Sequence, residues 1–130
     1  MHVKLAGIGI LSLFLVMMVP VYAEVTEISI EKRFYTIEEG IVFVGNEDEG
    51  NKMVNVIMVN PNGKENYFVG TMSNSEGIFE TIPKNIDDFF LVVGTYQFTA
   101  FTIQKDNGVS MNLEFDGSRV LEETITVLQL

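Results

Sequence analysis

The sequence contains no cysteine and no tryptophan, and its one histidine is His2. Without cysteine there is no disulfide to staple the chain and no thiolate to act as nucleophile or metal ligand. His2 lies in an apolar N-terminal stretch, so the remaining chain has no imidazole. That removes Ser-His-Asp and Cys-His nucleophilic sites, and with them ordinary zinc, copper and haem ligation. Basic residues are scarce too, eight Lys and Arg against eighteen Asp and Glu. No Asn begins an Asn-x-Ser/Thr acceptor for N-glycosylation, and no glycine-rich phosphate loop joins a strand to a helix. There is no internal repeat and no low-complexity linker.

What is present begins with a leader-like segment. Met1-His2-Val3-Lys4 carries one positive charge, and residues 5–19 are uncharged and apolar. Pro20 breaks the helix such a run would form, and Val21-Tyr22-Ala23 places small or modest side chains before a cut at Glu24. The expectation is a signal peptide over 1–23, shed on export. The alternative is an uncleaved anchor, since 19 residues from Leu5 to Ala23 just span a bilayer. The remaining chain of 107 residues is one domain by length. It holds all eighteen carboxylates and seven of the eight basic residues, a formal charge of −11. Such a charge repels phosphate backbones, so no nucleic-acid partner is expected. It also keeps copies apart in solution.

Beyond Ala23 the pattern is one of short alternating runs between turn clusters. Val25–Ile30 opens the series, and Ile41-Val42-Phe43-Val44 follows, ending at Gly45. Residues 46–51 read as a polar turn. In Met53–Val59, Val54, Val56 and Met58 alternate against Met53, Asn55, Ile57 and Val59. Asn60-Pro61-Asn62-Gly63 is a dense turn signal. Further runs cover residues 67–72, 78–82, 95–103 and 109–115, with Tyr96, Phe98, Ala100 and Thr102 on one face of the cleanest. Residues 85–93 fit either a strand or a helical turn over one end of the domain, and the tail from Val120 to Leu130 fits strand or helix. About seven strands at this spacing, apolar on one face, predict an all-β antiparallel sandwich. The expected division is a sandwich over 24–116 and a C-terminal strand or tail over 117–130.

Four segments carry a resemblance. Residues 35–45 (Tyr35-Thr36-Ile37-Glu38-Glu39-Gly40 and onward to Gly45), 54–63 (strand, then Asn60-Pro61-Asn62-Gly63), 73–79 (Ser73 through Gly77 to Phe79) and 94–100 (Gly94-Thr95-Tyr96 to Ala100) occur in order. Together they resemble secreted immunoglobulin-like and macroglobulin-like modules of archaeal or bacterial cell-surface and biofilm-associated proteins. Glu38 stands where that pattern has glycine, so the turn there is expected to take its own shape. The resemblance implies a fold and a cell-surface location, and no reaction. The residues have readings of their own. Tyr96 suits a tyrosine corner, ring in the core and hydroxyl on nearby backbone. Phe98, with Val42 or Phe43, suits the space between two sheets.

Carboxylates are the only plentiful reactive groups: Glu38-Glu39, Glu47-Asp48-Glu49, Asp87-Asp88 and Glu122-Glu123. A glycosidase needs two of them across a sugar cleft, which a domain this small has little room for. Calcium is the better use of oxygen ligands at loop tips, although residues 46–50 lack EF-hand spacing. The dense apolar run Phe89-Phe90-Leu91-Val92-Val93 suits core packing, or an exposed patch for another subunit. The tail from Val120 suits addition to a neighbour's sheet edge. The composition therefore favours a non-enzymatic module without cofactor, catalytic residue or metal site. Its expected partners are other cell-surface proteins or copies of itself, with a membrane only through an uncleaved N-terminus. Calcium or carbohydrate binding is the alternative.

Overall fold

The computed structural model describes residues 24–123. The leader, and the tail beyond Glu123, lie outside the described residues. Eleven strands run in order: β1 (Val25–Ile30), β2 (Phe34–Thr36), β3 (Gly40–Ile41), β4 (Phe43–Glu47), β5 (Met53–Val59), β6 (Glu65–Met72), β7 (Ile78–Glu80), β8 (Lys84–Asn85), β9 (Gly94–Phe101), β10 (Val109–Phe115) and β11 (Arg119–Glu122). One helical turn, α1 (Ile86–Phe89), follows β8. The protein is all-β, and every pairing is antiparallel. A six-stranded sheet has the order β2-β11-β10-β9-β5-β6, a three-stranded sheet the order β1-β4-β7, and β3 pairs with β8.

The two larger sheets meet through their apolar rows. Phe43 of β4 stacks on Phe98 of β9 at 4.8 Å between ring centres and meets Phe68 of β6 edge-on at 5.8 Å. Val54, Val56, Ala100 and Leu113 fill the rest of the six-stranded side, while Val25 and Phe79 close it from the other. Tilted and edge-on rings at these spacings add to the burial itself. The expected pairing of Phe98 with Phe43 is therefore present, while Val42 is only half-buried.

The expected run over residues 41–44 is two strands. β3 pairs with β8, and after Val42 the chain passes into β4, between β1 and β7. The Tyr35 hydroxyl sits at the break, donating to the Val42 carbonyl at 3.3 Å and accepting from its N–H at 3.4 Å. Backbone groups released from a ladder need such a partner. β4 also runs past Gly45, the expected end, so Asn46 and Glu47 belong to a strand and not to a polar turn. Gly45 serves close approach: a side chain there would strike the Glu27 carbonyl and the Phe79 ring.

The uncertain stretch 85–93 divides. β8 and α1 carry Ile86 and Phe90 into the core, and Leu91, Val92 and Val93 turn out to solvent. Between β9 and β10 the chain makes a single 3₁₀ turn over Lys105–Asn107, closed by the Gly108 N–H on the Lys105 carbonyl at 3.0 Å. The proximal tail is β11, held between β10 and β2 with Val120 fully buried. These residues are interior to the sheet, so they are not available to a neighbour's edge.

One turn is used twice. Asn60 accepts the N–H groups of Asn62 and Lys64 on its Oδ1, and Gly63 returns its N–H to the Asn60 carbonyl at 2.9 Å. Asn74 does the same with Glu76, Ile78 and Gly77. A short amide side chain that copies a backbone turn, with glycine in the left-handed region, explains both. The first turn joins β5 to β6, and the second carries the chain from the six-stranded sheet to β7.

Candidate interaction surface

The surface begins with β5, which is apolar on both faces. Val54, Val56 and Met58 point into the core, so Met53, Ile57 and Val59 point out, with Asn55 among them. Register then fixes their neighbours. Met53 lies opposite Met72, Asn55 opposite Gly70 and Phe101, and Ile57 opposite Tyr67 and Thr99. Cross-strand partners share a face, so these residues make one outward patch. A bulge in β6, where Phe68 is passed over between Ile57 and Val56, keeps Tyr67 outward while Phe68 turns inward.

Three side chains of the patch are more than half exposed: Met53 at 51%, Met72 at 59% and Tyr67 at 60%. The Tyr67 ring lies along β6, because a side chain at Gly70 would strike its hydroxyl. That hydroxyl donates to Asn55 Oδ1 at 3.4 Å. No Asp, Glu, Lys or Arg points outward from Met53, Asn55, Ile57, Tyr67, Gly70, Met72, Thr99 or Phe101, in a chain with eighteen carboxylates. Beside Ile57 and Thr99 the patch meets charge: Glu65, Lys105 and Asp106 line a depression with them, and Lys105 of the 3₁₀ turn pairs with Glu65 at the start of β6 at 3.1 Å. The outward face of β5 and β6 thus carries a cluster of exposed apolar side chains.

A second depression, of about 470 Å³, lies between the β5–β6 turn and α1. Met58, Phe89 and Tyr96 floor it; Asn66, Asp88 and Leu91 stand at the rim. The Tyr96 ring is buried, and its hydroxyl donates to the Val92 carbonyl at 2.6 Å and accepts the Val92 N–H at 3.1 Å. It ties the apolar loop to β9, the role expected of it.

The acidic clusters are dispersed, and several of their members are already bonded. Glu47 is buried, accepting the Gly50 N–H, the Glu49 N–H at 2.9 Å and the Ser73 hydroxyl at 2.9 Å. Asp48 accepts the Glu24 N–H at 2.9 Å. Glu39 accepts the Thr36 N–H at 2.9 Å and pairs with Lys32, and this partner first, then that N–H, lowers its pKa. This carboxylate shapes the turn next to Glu38, where the resembled pattern has glycine. Asp88 accepts from Asn85 at 3.3 Å and Glu123 from Asn112 at 2.9 Å. Among the described residues no three acidic, His or Cys side chains gather in a metal-binding group. Asp116, outside every cluster, accepts the N–H groups of Ser118 and Arg119 at 2.9 and 2.8 Å; these bonds bring its pKa down to about 2.

No protein family, curated protein or solved structure matches this chain. The patch was not singled out in the sequence, yet its signal is there. Met53–Val59 is apolar in both alternating rows, and a strand with only one row in the core must present the other elsewhere.

Proposed function

We propose that this chain is an exported, non-enzymatic, immunoglobulin-like sandwich module that works by protein contacts at a cell surface. The observation that carries the reading is the uncharged patch around Met53, Tyr67 and Met72 on a chain that is otherwise strongly acidic. An exposed apolar cluster rimmed by polar residues is the kind of surface that protein contacts use. Export is supported by the leader-like residues 1–23. The immunoglobulin-like assignment is supported by the four ordered segments and by two antiparallel sheets sharing one aromatic core. A contact role is supported by the lack of imidazole and thiol beyond His2, which leaves side chains suited to binding.

Photo-crosslinking from position 53 or 72 in the native cell tests this reading. The expected result is a discrete protein adduct on the exported chain, absent when the crosslinker is placed at Glu31, also exposed. Intact chain in the cytosol, or no adduct from either patch position, would overturn it.

A further inference from the structure

We infer that Arg33 and Arg119 form a binding site for a ligand that carries one carboxylate on an apolar stem. The site lies at the opposite edge of the six-stranded sheet from β5 and β6, so the inference goes beyond the contact reading and does not depend on it. These two residues are the only arginines of the chain. Strand pairing brings them together. Arg33 directly precedes β2, and Arg119 opens β11, which pairs with β2 through Arg119 opposite Thr36 and Leu121 opposite Phe34. With Phe34, Leu121 and Glu122 the two arginines line a depression of about 390 Å³.

Both guanidinium groups are left without a carboxylate in hydrogen-bond reach. Among the described residues Arg33 has no ion pair and no side-chain hydrogen bond, in a chain with more than twice as many carboxylates as cations. Arg119 comes no nearer to Asp116 than 3.7 Å, from Nε to Oδ2, which is too long for a hydrogen bond. Asp116 uses its Oδ1 on the Ser118 and Arg119 N–H groups instead. The Arg119 guanidinium lies over the Phe34 ring, 5.6 Å from the ring centre. A guanidinium held at an aromatic ring keeps a fork of N–H donors for a carboxylate, and two such groups at one depression supply donors for both of its oxygens.

The surroundings set the rest of the ligand. Phe34 is 44% exposed and Leu121, opposite it, is half-buried, so an apolar stem beside the carboxylate gains cover from water. Glu122 lines the same depression, forms no ion pair with either arginine, and repels a second negative charge. The chain as a whole, at a net charge of −10, keeps polyanions at a distance. A single carboxylate meets this repulsion least, whereas a phosphate group brings a charge of about −1.5 to −2 at neutral pH. An Asp or Glu side chain in an apolar segment of a polypeptide carries the required chemistry, and so does a free aliphatic acid. A polypeptide also finds the outer edge of β2, the last strand of its sheet, beside the arginines.

NMR of the arginine Nε–H groups in the isotope-labelled full chain tests this, with acetyl-Leu-Glu-Leu-amide, its Gln counterpart, hexanoate and inorganic phosphate as probes. The expected result is saturable movement of the Arg33 and Arg119 signals with the Glu peptide at millimolar concentration, and none with the Gln peptide. Loss of a charge-assisted bond raises Kd about tenfold in Arg33→Gln and in Arg119→Gln. Lys105→Gln, which removes a cation outside the depression, leaves Kd unchanged. Glu122→Gln lowers Kd about two- to threefold, a gain that a purely structural role for the arginines does not produce. Hexanoate that binds at least as tightly as the peptide marks a free aliphatic acid as the source, and tighter binding of the peptide marks a polypeptide; both support the site. No saturable movement at either arginine overturns the inference, as do equal shifts with the Gln peptide or a Kd indifferent to Arg33→Gln. Inorganic phosphate that displaces the carboxylate probes overturns the choice of ligand.

Discussion

The Tyr35 hydroxyl bonds both backbone polar groups of Val42, the residue at which the chain leaves β3 for β4. Tyr96 holds Val92 by the same pair of bonds at the other aromatic clamp. The two differ in what water can replace. Val42 is half-buried, whereas Val92 is 41% exposed on a loop. Loss of a hydrogen bond costs most where the orphaned group stays dry; without the Tyr35 hydroxyl the N–H groups of Val42 and Lys32 lose their acceptor, while the Val42 carbonyl keeps the Glu31 N–H at 3.2 Å. Tyr35→Phe should therefore cost about 1–2 kcal/mol and Tyr96→Phe about 0.5–1 kcal/mol. Urea unfolding of both variants checks the order, and a larger loss from Tyr96→Phe would contradict it.

Glu47 offers a second test. Its carboxylate gathers the Gly50 and Glu49 N–H groups and the Ser73 hydroxyl, tying the end of β4 to the end of β6. Glu47→Ala strands these donors in a buried corner and should cost about 2–4 kcal/mol. Glu47→Gln keeps one acceptor oxygen and should cost about half as much. Ser73→Ala removes one donor of the set, at about 1 kcal/mol. If Glu47→Ala unfolds at the same urea concentration as the unaltered chain, the carboxylate is not the tie described.

The alternation of β5, β9 and β10 made the antiparallel class readable from the chain alone. Period-2 runs of seven or eight residues leave little else to choose. β2, β3 and β8 were not readable, because two or three residues carry no period and their pairing is set by distant partners. Glu47 was misleading for a related reason. In Glu47-Asp48-Glu49 it looks solvated, and only Ser73, 26 residues on, shows why it is buried. The patch was half-readable. Both rows of β5 are apolar, but which row faces out depends on where the second sheet lies. The split within Phe89-Phe90-Leu91-Val92-Val93 likewise needed the helical turn, which sends Phe90 inward and Leu91 out.

Asp116 predicts a pH dependence of one hairpin. Its carboxyl falls from an ordinary value of 3.8 to about 2, chiefly through the Ser118 N–H and then the Arg119 N–H. A carboxylate with a lowered folded-state pKa stabilises above its unfolded value, and that contribution is lost as pH falls through the folded one. The β10–β11 turn should thus be fully supported above about pH 4 and should weaken between about pH 4 and pH 2. Asp116→Asn retains an acceptor oxygen for the turn and should flatten this step. Hydrogen exchange at Arg119 against pH is the measurement, and an identical profile in Asp116→Asn would contradict the assignment.

Gly63 and Gly77 close the two copies of the Asn-x-x-Gly turn with nearly the same backbone, φ +84° and +83°. Left-handed backbone costs any residue with a Cβ roughly 1–2 kcal/mol. Gly63→Ala should cost about that and no more, since an added Cβ there meets nothing within 4 Å. At Gly77 the same atom would strike the Glu47 carbonyl oxygen, which is backbone and cannot swing aside. The Gly77 carbonyl also accepts the Glu47 N–H at 2.7 Å, so a shift there breaks the bond that seats the buried carboxylate. Gly77→Ala should therefore destabilise by several-fold more than Gly63→Ala; in a Glu47→Ala background the part of the excess that comes from the carboxylate's bonds should be gone, while the part from the backbone clash remains. Urea unfolding of the two single variants and of the double-mutant cycle checks both statements. Equal losses at the two glycines would mean that backbone conformation alone sets the cost, and that Glu47 does not constrain the turn.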